Sequence, residues 1–155
     1  MTGFHPVQQQ YAIREMPPEP ISILLVDDHA IVRRRYRELL ERERSFVVVG
    51  EAGEAEEAYQ LFQALAPTVV VMDLSLPDAN GIDTTRRLLN HNPDARVVIL
   101  TMHEQTIFAL HSMRSGAYGF VTKRTAPETL VRAVRAAAEG KKYLSPDIGR
   151  QLSLD

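Results

Sequence analysis

No cysteine occurs among the 155 residues, so a disulfide framework and thiolate chemistry are both excluded. No apolar run approaches the length of a membrane span. The amino terminus, MTGFHPVQQQYAIREMPPEP, has neither the basic start nor the apolar core of a signal peptide. The net charge is -2, without the basic excess of an electrostatic nucleic-acid footprint. There is no fixed-period repeat, no Walker loop, no G-x-S-x-G elbow and no H-E-x-x-H pair. What is left is an ordinary globular composition, 45% apolar and 25% charged, long enough for one domain with its own core. These features read as a cytoplasmic protein.

The first twenty residues carry a Gln run and then Pro17, Pro18 and Pro20. Such a stretch buries little and holds no helix, so residues 1–20 are expected to form a flexible arm. From Ile21 on, apolar runs alternate with helical stripes. Strands are predicted at Ile21–Val26, Phe46–Gly50, Val69–Met72, Arg96–Leu100 and Tyr118–Val121. Helices are predicted from Val32, Tyr36, Leu39 and Leu40; from Ala58, Leu61, Phe62 and Leu65; and from Ile82, Thr85 and Leu89. Two more follow, from Ile107, Leu110 and Met113 and from Leu130, Ala133, Val134 and Ala137, the last opening on a capping box at Thr125–Glu128. Ser145-Pro146-Asp147 marks the start of another helix. Strict strand–helix alternation predicts a parallel sheet with helices on both faces and right-handed crossovers.

Polar residues gather where the strands stop. Asp27 and Asp28 follow the first strand, Asp73 the third, Thr101 the fourth and Lys123 the fifth. A parallel sheet brings all these ends to one edge, where open α/β sheets bind ligands. Taken singly, each has a plain structural reading: an Asp-Asp helix cap, a turn aspartate, a strand-end Thr, a solvated Lys. Taken together at successive strand ends, those readings are hard to hold at once. Three carboxylates in one crevice need a cation to stay ionised, and an all-oxygen set suits magnesium. His29 and His103 flank the same edge, but without paired-His spacing they do not make a zinc site. Asp73 beside such an ion can act as a nucleophile toward a phosphoryl group, with Lys123 and Thr101 as its oxygen contacts.

At this point the chain resembles the receiver domain of two-component response regulators, over about residues 21–140. LLVDDH, VVVMDLSLPDANGI, VVILTMH and GAYGFVTK occur in the expected order. TMH, GAYGFVTK, PETL and GKKYLSP are similar to the NarL/FixJ-type branch, whose output is LuxR-type. The resemblance implies a flavodoxin-like (βα)5 three-layer sandwich with sheet order 2-1-3-4-5, an order that the general rule for such folds illustrates with a member of this family. It makes Asp73 the phosphoacceptor and Asp28 a direct magnesium ligand. Asp27 becomes the holder of metal-bound water, and the Ser75 main-chain carbonyl the third protein ligand. Thr101, Lys123 and the Met102 amide contact the phosphoryl group, and Thr101 with Phe120 forms the switch, the ring turning inward as Thr101 moves. Arg124 follows Lys123 where many receivers carry proline. Arg33-Arg34-Arg35 stands where a small residue is common, and reads as a solvated face.

The implied function is a phosphorylation-controlled signal receiver, served by a sensor histidine kinase and able to pair with a second copy when phosphorylated. It is not a dedicated enzyme, though slow self-dephosphorylation is expected. No membrane partner is implied. DNA enters only through a carboxyl-terminal output domain, and residues 141–155 are expected to begin the linker to it. The output domain itself is expected to be absent, either by truncation or because the regulator has a single domain. The competing readings are a phosphorylation-independent interaction module and a phosphatase with an aspartyl-phosphate intermediate; the latter needs a substrate pocket and a second acid/base carboxylate.

Overall fold

A computed structural model describes residues 19–154. The arm expected at residues 1–20 lies, but for Glu19 and Pro20, outside the described residues. The strands are β1 (Ile21–Val26), β2 (Phe46–Ala52), β3 (Val69–Met72), β4 (Val97–Thr101), β5 (Gly119–Thr122) and β6 (Tyr143–Leu144). Between and after them run α1 (Ala30–Glu41), α2 (Ala55–Leu65), α3 (Gly81–His91), α4 (Thr106–Arg114), α5 (Pro127–Ala138) and α6 (Pro146–Leu154). All neighbouring strands pair in parallel, in the order β2-β1-β3-β4-β5-β6. The flavodoxin-like expectation holds, with one more strand at the β5 edge.

The two-residue period of the strands divides the core in two. Leu24, Val26, Val70, Met72, Ile99 and Phe120 face one way, against Ala58, Phe62, Leu88, Ala109 and Ile148 of α2, α3, α4 and α6. Ile23, Leu25, Val69, Val71, Val98 and Val121 face the other way, against Leu40 of α1 and Leu130, Ala133, Val134 and Ala137 of α5. These are the three layers. The four residues of β3 are all fully covered, as an uninterrupted apolar run in a central strand requires.

Three local expectations need correction. Helix α4 turns Ala109 and Ser112 to the sheet, and leaves Ile107 51% exposed and Leu110 half-exposed. Both covered side chains are small, and spacing alone could not rank them above the larger apolar residues. The capping box at Thr125 does not form. The Thr125 hydroxyl donates to the Thr122 carbonyl at 2.7 Å and closes the turn after β5 instead, so α5 starts at Pro127 without a side-chain cap. The stretch expected as the opening of a linker is folded onto the domain: Tyr143 and Ser145 donate their amides to Tyr118 and Phe120 carbonyls, and Ile148 is fully buried.

Candidate functional site

Backbone pairing at the carboxyl edge assembles the site. The Asp27 amide donates to Ala52 O, the Asp73 amide to Val26 O and the Lys123 amide to Thr101 O. Each acidic or basic residue is thus the first one beyond its strand, tied back to the neighbouring strand's last turn of ladder. Asp27 and Asp73 are almost completely buried, Thr101 completely so, and Asp28 stands at the surface.

The Lys123 ammonium joins the two buried acids, donating to Asp27 Oδ2 at 2.8 Å and to Asp73 Oδ2 at 3.0 Å. Asp27 Oδ1 accepts the His29 amide at 2.9 Å, and the His29 ring lies 3.0 Å from the Asp28 carboxylate. The Ser75 amide donates to Asp73 Oδ1 at 3.2 Å. Burial above all, and then the Asp27 charge, push the Asp73 carboxyl above its ordinary range; Lys123 and the Ser75 amide resist without prevailing. Burial pulls the Lys123 ammonium downward, but the carboxylates of Asp27 and Asp73 outweigh it and hold its pKa above the usual lysine range.

This donor set fits a hard divalent ion. Oxygens of Asp27 and Asp28 lie close together with the His29 ring nitrogen at the start of α1. Burial first, and the Asp27 charge after it, keep the Asp73 carboxyl raised despite the neighbouring ammonium, so further positive charge would favour its ionised form. An ion bound by carboxylate and carbonyl oxygen would supply that missing positive charge.

Thr101 is beside the site, but its hydroxyl is engaged elsewhere, accepting the His103 amide at 3.1 Å. Met102 is exposed. Phe120 has no exposed surface: the ring is already inside, facing Ile99 across the ladder, so an inward turn is not available to it in this conformation.

The loop from Asp73 to Gly81 is closed at its base. Gly81 donates its amide to Leu74 O at 2.8 Å, and Ser75 bridges to Asn80. A side chain at Gly81 would put its Cβ 2.3 Å from the Asp73 carbonyl, which explains glycine there. At the loop's tip the Asp78 carboxylate accepts the amides of Ala55 and Glu56 at 2.7 and 3.0 Å, capping α2 from a distance. A groove of about 770 Å³ runs alongside, lined by Ser75, Asp78, His103 and Phe108 among others, but not by Asp27, Asp73 or Lys123.

Three contacts escaped the sequence reading. Arg33, expected in solvent, is mostly buried: it donates to the Asp27 carbonyl at 2.5 Å and to Glu51 at 2.9 Å. The His103 ring reaches Ser75 Oγ at 3.2 Å. Asp78 gave no signal beyond a turn residue after Pro77. All three contacts join residues far apart in the chain, Asp78 reaching α2 although β2 and β3 are not neighbours, and spacing does not record them.

Residues 23–135 match the response regulator receiver domain family. The chain belongs to that family. The response regulator UvrY of Escherichia coli strain K12 is 37% identical over 134 residues, 86% of this chain and 62% of UvrY. The chain therefore spans less than two thirds of that relative's length. A LuxR-family two-component response regulator from Aurantimonas sp. SI85-9A1 superposes with a TM-score of 0.86 at 44% identity, over 88% of this chain and 97% of the other. The RcsB response regulator of Salmonella typhimurium, solved in connection with DNA interaction, gives a TM-score of 0.81 at 27% identity, over 88% of this chain and 67% of that one. As in the sequence reading, the similarity runs to the NarL/FixJ-type branch.

Proposed function

We propose that this receiver stores a signal as an aspartyl phosphate on Asp73. A carboxylate oxygen of Asp73 attacks the phosphorus of a phosphoryl donor, and the bond from phosphorus to the donor's leaving atom breaks. The observation that carries the reading is the Lys123 ammonium lodged between Asp27 and Asp73. A mobile cation already beside the nucleophile can follow the new phosphoryl oxygens without being recruited from solvent.

Magnesium is the ion this reading calls for, with Asp28, Asp73 and the Ser75 carbonyl as ligands and Asp27 holding its water; bound there, it neutralises charge on the phosphoryl group. Thr101 and the Met102 amide take the remaining phosphoryl contacts. Thr101 must leave the His103 amide to do so, and that exchange is the switch, working against a Phe120 ring that is already inside. A Thr101→Ala variant that still changes conformation on phosphorylation like the parent would refute the linkage.

The donor in this reading is a sensor histidine kinase in the cytoplasm. The output is transcriptional, through a DNA-binding domain outside this chain and a pairing with a second copy on phosphorylation. The protein is not a dedicated enzyme and loses its phosphoryl group slowly by hydrolysis. Acetyl phosphate with magnesium, followed by intact-mass measurement, tests the proposal. One phosphoryl adduct, lost in Asp73→Asn, is expected. No adduct, where a control receiver labels, would favour a phosphorylation-independent interaction module.

A further inference from the structure

The segment after α5 pairs with β5 through the Tyr143 and Ser145 amides, and it is also held at the residue next to Lys123. Thr122, the last residue of β5 and the one before Lys123, is buried and donates its hydroxyl to Asp147 Oδ2 at 2.6 Å. Its amide reaches the Ser145 hydroxyl at 3.3 Å, a long bond. β6 has only two residues, both partly exposed. Below this hinge, Ile148 is fully buried and Leu144 and Leu152 pack partly covered on the cluster that contains Phe120.

The hold is concentrated on one carboxylate. Asp147 Oδ1 has no direct hydrogen-bond partner among the described residues, so the contact with the Thr122 hydroxyl falls on Oδ2. Burial raises the Asp147 carboxyl, but hydrogen bonds around it outweigh that and hold it below its ordinary range, so the closed state favours the charged group. Moving Thr122 away removes one of those bonds.

We propose that residues 143–154 are a strap latched by Asp147 on Thr122, and that a phosphoryl group at Asp73 loosens the latch. The inference rests on the receiver reading above. Lys123 is tethered on the pocket side by Asp27 and Asp73, and Thr122 is tethered on the other side by Asp147. New phosphoryl oxygens draw the ammonium further into the pocket. The end of β5 follows, and Thr122 is taken away from Ser145 and Asp147, whose bonds cannot stretch with it.

Hydrogen–deuterium exchange on the whole chain tests this, with magnesium and beryllofluoride as the phosphoryl stand-in and fluorine NMR reporting the bound adduct. In the parent, the peptide covering 143–154 is expected to exchange at least tenfold faster once the adduct forms. Thr122→Val keeps the shape but removes the hydroxyl, and should show the fast rate with or without the adduct; Thr122→Ser should behave as the parent. A bound fluorine resonance with unchanged exchange at 143–154 in the parent overturns the strap and leaves the receiver reading standing. No bound resonance overturns both. The parent comparison decides the matter even if Thr122→Val folds poorly.

Discussion

The Lys123 ammonium stands 3.0 Å from the Asp73 carboxylate, and the two side chains are only 9% and 8% exposed. The same ammonium is 2.8 Å from Asp27, so one buried cation serves two buried acids. Removing it leaves both acids without a counter-charge. Breaking a buried pair in this way costs about 3–5 kcal/mol, and Lys123→Met is expected near that figure in metal-free solution. Magnesium should restore part of the loss by supplying the missing positive charge. Urea unfolding curves with and without magnesium check both parts; a variant as stable as the parent without metal contradicts the geometry.

Asp73→Asn should move stability the other way. Burial and the Asp27 charge raise the Asp73 carboxyl in the folded state above its ordinary value of 3.8. A raised carboxyl favours folding only while it stays protonated, so ionising it costs stability, and the whole cost is present above the folded pKa. The uncharged variant, in which Lys123 still has Asp27, is therefore expected to melt higher than the parent at pH 7 in metal-free buffer. The gap should close as pH falls through the raised Asp73 value toward the ordinary carboxylate range. Magnesium should stabilise the parent more than the variant. Melting temperatures between pH 4 and 8, with and without the ion, give the sign directly.

How much of this was legible beforehand depends on distance along the chain. β1 and β3 were readable to the residue, because Val69–Met72 is an unbroken apolar run and Ile21–Val26 is apolar but for Ser22, and both stop at an aspartate. The carboxyl-edge cluster was readable because parallel alternation forces strand ends together whatever the loops do. The exposed face of α4 was not, since the covered Ala109 and Ser112 are small and spacing does not rank them above the larger apolar residues. Arg33 was misplaced because its partners, the Asp27 carbonyl and Glu51, come from two strands whose adjacency no local pattern records. β6 was missed because two residues carry no period at all.

Gly81→Ala should be among the most damaging single-methyl changes. The added Cβ would meet the Asp73 carbonyl at 2.3 Å and Leu74 Cα at 2.9 Å, both backbone atoms with no rotamer to escape into. Overpacking against fixed backbone costs about 3 kcal/mol. The shift falls on Asp73 and on the loop that presents the Ser75 carbonyl, so phosphoryl labelling from acetyl phosphate should fall at least tenfold even at temperatures where the variant stays folded. Parental labelling in a folded variant would show that the loop base tolerates more movement than its packing suggests.

Asp78 tests the opposite end of the same loop. Its carboxylate caps α2 through the Ala55 and Glu56 amides, a place where the residue before the helix, Glu54, supplies no side-chain cap of its own. Loss of such a cap destabilises the helix it serves, so Asp78→Ala should lower the unfolding midpoint in urea, and Asp78→Asn, which keeps an acceptor oxygen, should lower it less. The base of the loop remains closed by the Gly81–Leu74 bond and the Ser75–Asn80 bridge. Labelling of Asp73 should therefore stay within about twofold of the parent, in contrast to Gly81→Ala, if the twofold bound is read as roughly the 0.4 kcal/mol of RT ln 2. A large labelling defect in Asp78→Ala would mean that the tip, and not the base, sets the position of Asp73 and Ser75.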